Sequence, residues 1–346
     1  LFYLIGRRLK LGSLAAFTSL IVVATPMIRY FAKMPSQETL IIFFTCLSIW
    51  FYLKGLKLGF YLATLANALS GWAGYFIYPL LLIHSRLFQP DKFKLVLRSI
   101  MILLAVFGLH LIHTFILTGS FLGGGLIEAF LLRLGLFPLL NQLEPELPGQ
   151  FSLTAYLIKE ARINVIYYTL TLLSFAGIGL FIILKKIISK VNLNQVESII
   201  LLLFFWGLSY PLIFSNVVFV HEYFNLFFVP FLALNFAWLT QLLIKKNSKL
   251  IIFIFLIAGL IFFERNRFYQ ALNQTQAYLP GYKLGTLINQ TVPSGQTAYV
   301  VAGDNFTDSQ GIFIEYYADQ PVIFVTKQLS LPSSAKYIFS ENDMIN

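Results

Sequence analysis

The stretch LGFYLATLANALSGWAGYFIYPLLLIHSR, residues 58–86, decides the fold. Read as one helix, it crosses a membrane once. Read as two helices broken at SGWAG, 70–74, it crosses twice. The charges on either side choose. Basic residues cluster at Arg7, Arg8 and Lys10; at Lys54 and Lys57; at Arg86, Lys92, Lys94 and Arg98; at Lys185, Lys186 and Lys190; and at Lys245, Lys246 and Lys249. Cytoplasmic ends of membrane helices collect Lys and Arg. A single crossing puts the first two clusters and the last three on opposite sides. Two crossings put all five inside. The chain therefore reads as two short helices, 58–70 and 73–86. Neither is long enough to cross a hydrocarbon core of about 30 Å upright, so protein or water must cover their ends.

Composition agrees that lipid is the solvent. The chain is 58% hydrophobic and 12% charged, with a mean hydropathy of +0.76. Soluble domains carry roughly twice that share of charge, about 25%. The 36 Phe and 18 Tyr suit lipid contact and interfacial belts. A single cysteine, Cys46, gives no disulfide framework and no cysteine metal site. The net charge of +10 lies in the helix-end clusters, so it does not point to nucleic acid. The chain starts at Leu1 inside an apolar run, LFYLI, with no signal peptide, and reads as lacking its true N-terminus.

Further spans are expected near 11–31, 39–53, 99–118, 163–184, 197–216, 223–243 and 249–263, with 1–6 as the remnant of an earlier one. The expected fold is an all-α polytopic membrane domain, residues 1–263, of about nine transmembrane helices plus the remnant. Three outer connections follow, at 32–38, 118–162 and 215–222. The long one holds GGGLIEAFLLRLGLFPLL, 123–140, which reads as an amphipathic interfacial helix. From 264 to 346 the chain turns mixed and polar. GYKLGTLINQ reads as a helix, and QTAYVVAG and QPVIFVT as short buried strands, so this is a small extracytoplasmic α/β domain.

Polar chemistry gathers at the outer face. In KMPSQE, 33–38, plain structure would have Lys33 snorkel, Pro35 and Ser36 turn the chain, and Glu38 favour the start of the next helix. The functional alternative is that Arg29 and Lys33 hold a lipid phosphate while Glu38 positions a hydroxyl, a base or a metal. His221, Glu222 and Tyr223 form a polar triplet at the mouth of a span, and ionisable groups there are usually functional or paired. His110 and His113 have a metal-compatible spacing, but a packed or hydrogen-bonded role suits two histidines better. Lys159, Glu160, Arg162 and Asn164 suit a substrate contact or an ordinary boundary cluster equally.

Four stretches together resemble the GT-C membrane glycosyltransferases, in their protein-mannosyltransferase and aminoarabinose-transferase branch. TPMIRYFAKMPSQETLIIFFTCLSIWFYLKG is similar to that branch's third and fourth spans, with an acidic residue opening the fourth. GWAGYFIYPLLL resembles its short-helix segment, although Gly71 stands where a lysine is common. HEYFNLFFVPFLAL resembles its late outer loop and following span, and IEYYADQPVIFVT its small C-terminal domain. The resemblance implies an inverting transfer from a polyprenyl-phosphate sugar to a lipid, glycan or protein acceptor, in the plasma (bacterial inner) membrane. Glu38, His221 and Glu222 would be catalytic. Arg29, Lys33, Gln37, Trp72, Tyr75, Lys159, Arg162 and Tyr223 would bind substrate. The family's acidic motif in the first outer loop would precede Leu1. No cofactor is certain, and a divalent metal stays open. Partners would be the donor, the acceptor and membrane lipids, without nucleic acid. A transporter or flippase is the alternative, since short broken helices also serve that purpose.

Overall fold

The structure, a computed structural model, describes residues 1–13, 25–31, 37–120, 134, 152–246, 257–266, 279–301, 314–315, 317–325, 331–332 and 335–340. It divides into two units, Leu1–Phe268 and Tyr269–Asn346.

The first unit is helical. Its elements are α1 (Phe2–Arg8), α2 (Pro26–Phe31), α3 (Gln37–Lys54), α4 (Lys57–Ser70), α5 (Ile77–Phe88), α6 (Phe93–Thr118), α7 (Leu153–Tyr168), α8 (Leu170–Ile188), α9 (Gln195–Ile213), α10 (Ser215–Val220) and α11 (Val229–Lys246). A helix over 257–266, α12, completes it. Among the described residues, four segments are long and apolar enough to cross a membrane: Pro90–Thr118, Leu170–Ile188, Gln195–Ile213 and Tyr223–Lys245.

The 58–86 stretch is broken as its charges require. α4 ends at Ser70, Gly71 has φ 150° and ψ 171°, and a 3-10 turn over Trp72–Tyr75 leads into α5. At about 1.5 Å per residue both helices fall well short of the hydrocarbon thickness. Protein covers the break. Asn67, fully buried, donates to Thr45 Oγ1 at 3.0 Å and to the Gly74 carbonyl at 3.2 Å. Trp206 Nε1 reaches the Ala73 carbonyl at 3.4 Å. A side chain at Gly71 would meet Ile41 Cδ1 at 3.0 Å and the Gln37 amide at 3.3 Å, so the glycine also admits α3 closely.

Other boundaries shift from expectation. The 163–184 span divides at Thr169, whose φ of 68° ends α7; its Oγ1 accepts from Leu172 N at 3.3 Å and starts α8. α7 is itself opened by Ser152, which accepts from Ala155 N. The 223–243 span opens with a 3-10 turn, Glu222–Phe228, before α11 begins. Glu264 is not the start of the polar tail. Its carboxylate accepts from Thr171 N at 3.2 Å and Thr171 Oγ1 at 2.9 Å, so it belongs to the first unit. The unit boundary therefore falls after Phe268 rather than at 263. The expected interfacial helix at 123–140 and parts of the 11–31 and 249–263 spans lie outside the described residues.

The basic clusters converge on one end of the bundle. Arg8 and Lys92 both donate to the Leu53 carbonyl. Gln241 Nε2 donates to the Lys10 carbonyl at 3.0 Å, joining the C-terminal part of α11 to α1. His84 Nε2 lies 3.0 Å from Ser198 Oγ, joining α5 to α9. Lys186 pairs with Glu197 at 2.5 Å. Glu197 also closes a capping box with Asn194, each side chain accepting from the other's N–H at 3.0 Å.

The second unit carries α13 (Leu279–Thr291), β1 (Ala298–Val301), β2 (Val322–Val325) and β3 (Tyr337–Ser340). The sheet is parallel with order β2-β1-β3, pairing Ala298 with Val322 on one side and Tyr337 on the other. Leu284, Ile288 and Val292 of the helix side pack with Ala298, Val300, Ile314, Ala318 and Phe339. The two expected strands are present. β2 is only partly covered, with Ile323 45% exposed, and β3 carries no signal recognised in the sequence.

Candidate functional site at the end opposite the basic clusters

α3 runs from the far end, at Gln37, to the basic end, at Lys54. α9 runs the other way, from its capping box to Pro211 and Phe214. The far end gathers α2, the start of α3, the Trp72–Tyr75 turn, α7, α10 and the Glu222–Phe228 turn. α2 packs against both α7 and the 222–228 turn, and α3 packs against both 3-10 turns.

Glu38 sits in the first turn of α3 and is only 4% exposed. Burying a carboxylate costs several kcal/mol unless it is compensated, and the positive end of the helix dipole compensates only part, about 0.3–1 kcal/mol. Gln37 precedes it, with its amide against Gly71, beside Trp72. Tyr75 ends the same turn with its hydroxyl buried and unbonded. Gln37, Trp72 and Tyr75 are thus brought to one place.

A second group forms around 219–225. Lys159 Nζ donates to the Phe219 carbonyl and lies 4.9 Å from the Phe219 ring centroid. His221 is half-buried, its ring 5.4 Å from that of Tyr223. Tyr223 packs on Phe224, which stacks on Tyr210 at 4.5 Å. Glu160 Oε2 accepts from Asn164 Nδ2 at 3.2 Å. Burial, and then the Glu160 charge, push the Tyr156 phenol above its ordinary range, and its hydroxyl donates to the Pro211 carbonyl at 2.9 Å. Lys159 and His221 are therefore neighbours through Phe219, although 62 positions apart in sequence.

The other expected residues fare differently. Arg162 is exposed on α7 and joins neither group. Arg29 lies in α2 and Glu222 opens the 3-10 turn, but their side chains are outside the described residues, as is all of Lys33. His113 is exposed on α6 and His110 half-buried, so the pair is not packed in the core. Among the described residues, no group of three or more His, Cys, Asp or Glu is placed to hold a metal.

Two residues escaped the sequence reading. Asn225 is wholly buried, and neither amide atom has a hydrogen-bond partner. Tyr168 donates to its carbonyl, tying the α7–α8 junction to the 222–228 turn. An asparagine four residues beyond His221 in a Phe-rich run was the available signal. His84, at the other end, is 4% exposed between Tyr52 and Ser198. An ionisable residue inside a span was reason enough to single it out.

No family model matches the chain, and no curated protein or solved structure matches it either.

Proposed function

We propose that this chain is the membrane part of an inverting glycosyltransferase of the GT-C type, using a polyprenyl-phosphate sugar. The proposal includes nine spans plus a remnant, the basic end in the cytoplasm, and the far end and second unit on the extracytoplasmic side of a bacterial inner membrane. The observation that carries it is Glu38: a carboxylate buried at a helix start, on a helix packed against the turn that follows His221. The basic clusters at the opposite end support the orientation.

In this reading a carboxylate or His221 accepts the proton of the acceptor hydroxyl. The freed oxygen attacks the anomeric carbon, the bond to the phosphate oxygen breaks, and polyprenyl phosphate departs with the electron pair. Gln37, Trp72, Tyr75 and Tyr223 would hold the sugar. Lys159, with Arg29 and Lys33, would meet the leaving phosphate's charge.

The test is transfer in proteoliposomes. Labelled donor and an envelope extract as acceptor should give acceptor-linked sugar and free polyprenyl phosphate. Glu38→Gln should lower kcat by at least about a hundredfold, the scale of general base catalysis. Full activity in that variant, or absence of donor turnover by the native protein, would sink the reading. The broken α4–α5 pair favours a second reading, a flippase. It predicts movement of intact donor across the bilayer with no cleavage.

A further inference from the structure

The bundle's basic end holds a feature that the proposed reaction does not use. Arg8, from α1, and Lys92, from the Pro90–Lys92 turn, both donate to one oxygen, the Leu53 carbonyl. Arg8 Nη2 and Lys92 Nζ are each 3.3 Å from it, so the two nitrogens can be no further apart than twice that. Lys54, the next residue, extends from the same helix end with its ammonium 4.1 Å from the Trp50 ring centroid. Capping the α3 C-terminus explains one cation, because a carbonyl at a helix end carries only a partial negative charge. It does not explain three. No described carboxylate forms an ion pair with any of them; the charge of Asp91 reaches Lys92 next to it, but Asp91 is exposed and one carboxylate cannot balance three cations. Glu197, the other acid at this end, is taken by Lys186.

The surroundings indicate what supplies the missing charge. Arg8 and Lys54 are exposed and Lys92 is half-buried, so an anion can reach them. In the two turns that carry Lys54 and Lys92 and the helix ends flanking them, Leu56, Leu58 and Leu87 are 48%, 72% and 67% exposed, and Phe88 is 38% exposed. A cationic notch bordered by apolar surface at a helix end has the layout of a lipid: phosphate above, acyl chains below. Free phosphate would have no use for the apolar rim.

We propose that the Arg8–Lys54–Lys92 notch binds the phosphate of an anionic diacyl phospholipid. The lipid holds α1, the α3–α4 turn and the α5–α6 turn together by neutralising cations that would otherwise repel. The proposal does not rest on the glycosyltransferase reading.

Native mass spectrometry tests it on the whole protein in neutral detergent, titrated with phosphatidylglycerol, phosphatidylcholine or inorganic phosphate. Phosphatidylglycerol should give a saturable one-lipid adduct and raise the unfolding temperature. Phosphatidylcholine and inorganic phosphate should do neither. At roughly fivefold per basic residue, Lys54→Gln should weaken that adduct about fivefold, and Arg8→Gln with Lys92→Gln about thirtyfold. Lys185→Gln with Lys190→Gln removes two exposed cations elsewhere at this end and should change it by less than about threefold, since neither lines the notch. Equal retention of phosphatidylcholine would overturn the proposal, as would stabilisation by inorganic phosphate alone. So would equal losses in the two double variants. Should the Arg8/Lys92 variant fail to fold, Lys54→Gln and the native lipid preference still decide it.

Discussion

Tyr52, His84 and Ser198 form a buried chain whose proton positions can be worked out. Ser198 Oγ donates to the Gln195 carbonyl at 3.0 Å. With that proton committed, His84 Nε2 must donate to Ser198, and Nδ1 must accept from the Tyr52 hydroxyl at 2.9 Å. Tyr52 is wholly buried. Replacing His84 by Leu removes the acceptor and leaves the hydroxyl stranded. A stranded buried hydroxyl costs about 1–3 kcal/mol; membrane interhelical bonds average nearer 0.6 kcal/mol. The expected loss is about 1–2 kcal/mol, because Ser198 keeps its second bond. Tyr52→Phe alone should cost about 0.5–1.5 kcal/mol. In the His84→Leu background the same change should be neutral or stabilising, because it removes the stranded group. Reversible unfolding in mixed micelles measures the four proteins of this cycle. Additive losses would refute the hydrogen-bond chain.

Gly179 faces Asn235, and a Cβ there would lie 2.0 Å from Asn235 Oδ1. Gly179→Ala should displace the amide from the Ala176 carbonyl, where it donates at 2.8 Å, and lower stability by about 1–3 kcal/mol. Asn235→Ala should recover part of that loss, as measured by thermal unfolding in detergent. Glu197→Ala should cost about 2–4 kcal/mol, since it leaves Lys186 unpaired and opens the helix cap. Lys186→Met leaves the buried Glu197 carboxylate without its cation, so it should also cost about 2–4 kcal/mol; a loss below about 0.5 kcal/mol in denaturant titrations would contradict the pairing. Lys57→Cys and Thr118→Cys lie at opposite ends of the fold, so impermeant thiol reagents should label them from opposite sides of sealed vesicles.

Much of the bundle was legible because its causes are local. Twenty apolar residues bounded by lysines specify a span wherever they occur, and SGWAG between basic turns required a break. The second unit's helix and two of its strands were legible from periodicity and turn residues. β3 was not, because YIFS is too short for periodicity and becomes a strand only by pairing with β1. The Thr169 break was hidden too: a β-branched residue at positive φ has no local preference for it, and the bond from Leu172 N to its Oγ1, with Glu264 holding Thr171 two residues on, fixes it there. At the candidate site, the sequence by itself picked out the ionisable residues that border apolar runs. Only the tertiary structure decided which of them meet. Lys159 reaches Phe219 and Gln37 reaches Gly71, while Arg162 remains exposed. The physical reason is that helix rotation and pairing are set by the summed packing of all faces, whereas span ends are set by the water–lipid boundary, which each segment senses alone.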